Sequence, residues 1–234
     1  MPYCSARELA FSKDQLAIGF SYGGLGGGHI GIAFHSAKDG AKLLHLCAHL
    51  RLQTDDFPPS TPECWVATVV ELPASASKQF VAIIRAISKR LPKINYGINF
   101  LAAPGSFNAQ GHYKAPKGSD GLTCATFVST IFRDLRFPLI VETTWKPDPK
   151  NIKWGEDVYS WLLDSKADPD HLEAVKRNII GLRIRPDEVA AAADILLQDR
   201  PVSFEIASVN APLVEHALRL VTPPSAVIEE PSSA

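Results

Sequence analysis

Two hydrophobic rhythms divide the chain. In its first third, short apolar runs rich in β-branched and aromatic residues stand between clusters of Gly, Pro, Asp and Ser. QLAIGFSY (15–22), HIGIAFH (29–35), AKLLHLC (41–47) and WVATVVEL (65–72) read as strands on that pattern. The period then lengthens. Over 75–91, Val81, Ile84, Ile87 and Leu91 recur at helical spacing, and Pro92 ends the run. A polar loop rich in Gly and Pro follows at 101–121, and loops of that length in compact domains are often functional. A second helix is predicted over 122–136, with Phe127, Val128, Ile131, Phe132 and Leu135 as its apolar positions. After Pro138 the pattern is helical, with helices expected at 154–165, 169–182, 186–199 and 211–221. Asp or Pro stands just ahead of several of these starts, as N-caps and first helical positions require. The expected fold is therefore α+β: an antiparallel sheet with packed helices over 1–138, a helical extension packed on it over 139–221, and a disordered tail at 222–234.

Composition narrows the function. The chain has 234 residues, 46% hydrophobic and 21% charged, which excludes general disorder. Lys plus Arg is 24 and Asp plus Glu is 25, so the net charge is −1 and nucleic acid is not an expected partner. Cysteines stand at 4, 47, 64 and 124 without a CxxC pair, so neither a disulfide framework nor a structural zinc is expected. No secretory leader is visible, and no apolar run approaches the roughly 18 residues of a spanning helix. A cytoplasmic location with reduced thiols and no transmembrane segment is the expectation. The Gly-rich GGLGGG (23–28) lacks the Lys-Ser/Thr ending of a phosphate loop, and no cofactor is expected.

Chemistry gathers at three residues. Cys124 opens the second predicted helix, on the face shared with Val128, Ile131 and Leu135. A thiol in a first turn feels the positive end of the helix dipole, which favours thiolate, and the free N–H groups there can hold an oxyanion. Alone, it reads as readily as a small core cysteine. His29, Gly31, Ala33 and His35 share one face of their strand, as Ala41, Leu43, His45 and Cys47 share one face of the next. If His45 pairs opposite Gly31, His29 is its diagonal neighbour. The nearly bare Gly31–Ala33 face would then admit the helix carrying Cys124. A thiol, an imidazole to take its proton and a second group to orient that imidazole are what nucleophilic catalysis requires. The other candidates are weaker. His35 lies further along the strand, His112 stands in the long loop, and the alternation His45-x-Cys47-x-His49 suits zinc ligands but shows no fourth. Trp145, Trp154 and Trp161 read as core anchors.

The order GGHIGIAFH, KLLHLCAH and then GLTCATFVSTIF resembles the circularly permuted branch of the NlpC-type, papain-like cysteine hydrolases. That branch includes lecithin:retinol acyltransferase-like proteins and bacterial permuted peptidase-like proteins. The resemblance covers about residues 15–136. It implies that His29 is the base, His45 its orienting partner and Cys124 the nucleophile, with Tyr22, Tyr96 and Thr123 at the substrate. Thr123 stands where many relatives have Asn, no membrane-anchoring tail is expected, and 137–221 match no known pattern. The implied activity is cleavage of a peptide, isopeptide or cell-wall amide through an acyl-enzyme on Cys124. Acyl transfer, or thioester or lipid hydrolysis, on the same three residues is an alternative. So is a non-enzymatic binding module that meets a protein partner through the C-terminal helices.

Overall fold

A computed structural model describes residues 3–23, 27–59, 65–99 and 106–222. The middle of the glycine loop, Cys64, the start of the long loop and the last twelve residues of the expected tail lie outside them. Six strands form one antiparallel sheet: β1 (Cys4–Ser5), β2 (Leu16–Ser21), β3 (His29–His35), β4 (Ala41–Ala48), β5 (Arg51–Asp56) and β6 (Trp65–Val69), in the order β1-β6-β2-β3-β4-β5. Among the described residues there are six α-helices. These are α1 (Ala74–Arg90), α2 (Cys124–Asp134), α3 (Ile152–Asp164), α4 (Pro169–Arg177), α5 (Pro186–Asp194) and α6 (Phe204–Val221). The fold is α+β.

Strand parity assigns the two faces. Leu16, Ile18 and Phe20 of β2 and Ile30, Ile32 and Phe34 of β3 enter a large core with Phe80, Ile84, Phe127, Val128 and Ile131 of α1 and α2. The same apolar cluster continues through Val158, Val189 and Leu218, so the C-terminal helices share the core of the sheet. The Tyr3 hydroxyl donates to the Ala190 carbonyl, and Thr68 Oγ1 donates to Asp194 across 2.8 Å, which ties α5 to the strands. The opposite face holds a small cluster of Ala17, Ala33, Leu43, Phe57 and Ala67, flanked by Phe11 and Trp65.

Several boundaries depart from the sequence reading. β5 (RLQTDD) is an edge strand with one buried side chain, Leu52, so it lacks the apolar signal by which strands are recognised. The predicted 169–182 and 186–199 helices stop early, at Arg177 and Asp194. α6 begins at Phe204, seven residues ahead of the expected start at 211, and runs through Pro212. Pro212 sits on an exposed face, where water can replace the missing hydrogen bond. Thr222, assigned to the tail, is buried and donates to Leu218 O across 2.8 Å, closing α6.

Among the described residues no helix is long and apolar enough to cross a membrane.

Candidate active site

β3 and β4 pair from Ile32–Leu44 to His35–Ala41. Continuing that register places His45 opposite Gly31. A Cβ on Gly31 would stand 2.9 Å from the His45 Cβ, so the glycine gives the imidazoles room. His29 Nε2 lies 2.6 Å from His45 Nδ1, the rings meeting edge to face with centroids 4.9 Å apart. His45 Nε2 lies 2.8 Å from Asp55 Oδ2, and Gln53 Nε2 donates to Asp55 Oδ1 across 2.6 Å. Asp55 belongs to the polar edge strand that sequence periodicity passes over. Its signal was alternation alone, since Gln53 and Asp55 share parity opposite His45.

The carboxylate fixes every proton in this chain. Asp55 can only accept, so His45 Nε2 carries hydrogen and His45 Nδ1 is a lone pair. His29 Nε2 must then donate, which leaves His29 Nδ1 unprotonated and basic. Burial raises the Asp55 carboxyl, but hydrogen bonds from Gln53 and His45 outweigh it and the net shift is downward. Burial, then the neighbouring His45, pushes His29 down to about 4, against a smaller opposing pull from Asp55. Burial lowers His45 as well. Both imidazoles are neutral at pH 7.

Cys124 is 5% exposed and opens α2, as expected. The face it uses was not. α2 packs on the Ile30–Ile32 side of β3, and the Gly31–Ala33 side is filled by Leu43, Phe57 and Trp65. The physical reason is that the branched residues of β3 alternate with Gly31 and Ala33, and the branched side draws the helix. The sulfur reaches the strand at the Ile30 N–H, and the N–H groups of Cys124 and Ala125 also point at it. Ile30 follows His29 directly, one Cα–Cα step of about 3.8 Å away. His29 shares parity with Gly31 and Ala33 and its ring packs on Trp65, so the imidazole and the thiol lie on opposite faces of the sheet at neighbouring residues of β3, and the expected contact of His29 with Cys124 is not made. Burial pushes the thiol up to about 11, overriding these N–H groups and the Arg183 charge that lower it. The expected dipole-stabilised thiolate is a neutral thiol instead.

Tyr96 stands beside the thiol. Its segment runs parallel to the residues before α2 through a bridge from Tyr96 to Leu122, and Leu122 N donates to Asn95 O across 2.9 Å. Gly121, at φ +126°, allows this approach, since a Cβ there would fall 2.1 Å from Asn95 O. The Cys124 N–H points to the Tyr96 hydroxyl oxygen, and burial holds that phenol protonated far above its ordinary pKa. The Tyr96 backbone is gripped by two further histidines. Its N–H donates to His49 Nδ1 (3.2 Å), and His171 Nε2 donates to its carbonyl (3.0 Å).

The remaining candidates have other partners. Thr123 caps α2: its Oγ1 accepts from Thr126 N (3.1 Å) and Thr126 Oγ1 accepts from Thr123 N (2.7 Å), which commits the side chain to the helix rather than to a substrate. Tyr22 is 38% exposed and accepts from Arg219 Nε of α6 across 3.3 Å. His35 pairs with Phe11 O, and the His112 amide closes a turn on Asn108. A bulge between Leu46 and Ala48 turns Cys47 toward Arg51 O, breaking the alternation with His45 and His49 that suggested metal. Comparisons of the chain with protein-family models, with curated proteins and with solved structures return no match.

Proposed function

We propose that the protein is a cysteine-dependent hydrolase of the permuted papain-like type, which cleaves an amide through an acyl-enzyme on Cys124. The observation that carries this reading is the His29–His45–Asp55 chain, whose hydrogen-bond polarity leaves one basic nitrogen, on the residue adjoining the peptide N–H that meets the thiol. The resting state is a neutral thiol and a neutral imidazole on the two faces of β3, and acylation requires them to meet at the end of the strand that β4 leaves unpaired. As sulfur attacks the carbonyl carbon, the S–H proton passes to His29 Nδ1 and a C–S bond forms. The imidazolium is oriented by His45 and balanced by the Asp55 charge. The N–H of Ala125 and the O–H of Tyr96 are donors for the developing oxyanion. His29 then returns the proton to the leaving amine as the C–N bond breaks. Water, deprotonated by the same nitrogen, releases the acid and restores the thiol.

The test is intact-mass analysis of protein treated with nitrophenyl esters of peptidyl and fatty acyl groups. The expected result is a single hydroxylamine-sensitive acyl adduct that is absent from Cys124→Ala. Preference for the peptidyl ester supports amide hydrolysis, and preference for the fatty ester points to acyl transfer or lipid hydrolysis. An adduct that persists in Cys124→Ala, or no adduct with either ester, refutes the hydrolase and leaves the binding module.

A further inference from the structure

One helix of the extension carries two apolar faces. α6 buries Ala207, Ala211, Val214 and Leu218 against the rest of the molecule. Ile206, Val209, Leu213 and Leu220 of the same helix are 46%, 75%, 61% and 62% exposed. Their spacings of three, four and seven residues set them in one stripe, at a and d positions of a heptad. Four large aliphatic side chains gathered on one wet face mark a contact surface, unlike apolar residues scattered singly. A groove of about 70 Å³ opens beside the stripe, with Ile195, Asn210, Leu213 and Ala217 among its walls. The charges of α6 select the occupant. Glu205 lies in its first turn and Arg219 in its last, two heptads apart and so on the same flank of the stripe. Arg219 has Glu215 at 3.6 Å and the Tyr22 hydroxyl at 3.3 Å, yet its side chain is still 69% exposed. An antiparallel copy of the helix sets each Glu205 toward the other's Arg219 and opposes the two helix dipoles, whereas a parallel copy levels like charges. One cation against Glu205 and Glu215 is not the basic flank by which a helix lies on an anionic membrane.

We propose that this face is a two-fold interface whose partner is a second copy of the chain, with α6 packed antiparallel on α6 about Leu213, whether or not Cys124 is the nucleophile. Ile206 of one copy then meets Leu220 of the other, and each Leu213 enters the groove beside its counterpart. A patch on the scale of about 300–600 Å² per copy buries roughly 600–1,200 Å² in the pair, which makes the dimer a weak one.

Sedimentation equilibrium of the full chain reads the pairing. The wild type is expected to pass from monomer to dimer between about 1 and 100 µM. Leu213→Glu puts an unpaired charge at the two-fold axis and should weaken the dimer about a hundredfold or more. The melting temperature of the monomer should not change, because Leu213 is exposed. Oxidative cross-linking, with the wild type as background for the native cysteines, reads the direction. Leu213→Cys should link two copies, Ile206→Cys alone should not, and Ile206→Cys combined with Leu220→Cys should. A wild type that stays monomeric at every concentration overturns the interface, and so does a dimer that survives Leu213→Glu. Linking by Ile206→Cys alone means a parallel partner and overturns the antiparallel pairing. Binding of a monomeric wild type, but not of Leu213→Glu, to vesicles of phosphatidylcholine and phosphatidylglycerol assigns the face to lipid and overturns it as well.

Discussion

Two histidine pairs lie near one another in this molecule and do different things. His29 and His45 meet edge to face, with a hydrogen bond between the rings and a carboxylate at the far end. His49 and His171 stack at 4.9 Å with planes 26° apart, and each spends a nitrogen on the backbone of Tyr96. In this stacked clamp His49 Nδ1 must accept from the Tyr96 N–H, and burial, then the neighbouring His171, lowers the His49 imidazole. The first pair has a direction because Asp55 can only accept. What separates a proton relay from a structural brace is thus the chemistry of the terminal partner rather than the histidines themselves.

The sharpest way to break the comparison is Asp55→Asn. The amide can donate to His45 Nε2, which reverses each hydrogen bond and leaves His29 Nδ1 protonated. Acylation of Cys124 by an ester should slow on the order of 10²- to 10⁴-fold with the melting temperature nearly unchanged. Acid separates the two pairs next. His29 has its folded pKa, about 4, below its ordinary 6.5, so the unfolded chain takes up its proton first as pH falls. Stability present at neutral pH is lost from about 6.5 downward, the loss being complete below about 4. Its size is on the order of 2–3 kcal/mol, read by urea unfolding at several pH values, and His29→Gln should flatten the profile. For the clamp, His171→Ala removes the donor to Tyr96 O and should cost about 1–3 kcal/mol of stability while acylation changes by less than tenfold. The smallest effect concerns Thr123. Thr123→Ala should cost about 1 kcal/mol of stability through the lost cap, with Ser restoring it and KM unmoved.

Much of this was legible in the sequence because the relevant signals are local. Strand parity and the Gly31 gap placed His29 beside His45, and the cap-like start placed Cys124 in a first turn. What escaped depends on long-range packing. Asp55 lies on an edge strand whose polarity hides it. The face of the sheet taken by α2 was misjudged because a bare glycine–alanine surface looked like room for a helix, whereas the alternating Ile30, Ile32 and Phe34 offered it more apolar area. The thiol's ionisation was misjudged because a helix terminus was weighed without the burial that surrounds it.

The most direct measurement is the rate at which iodoacetamide alkylates Cys124 in the wild type and in His29→Ala at pH 7. A thiol whose own pKa is about 11 is almost wholly protonated there and needs a base to react. If His29 is that base, Cys124 should be alkylated faster than Cys4 and Cys47 in the wild type and at least tenfold more slowly in His29→Ala, with circular dichroism unchanged. Equal rates in the two proteins would show that the imidazole does not serve the thiol, and the hydrolase reading would fall with it.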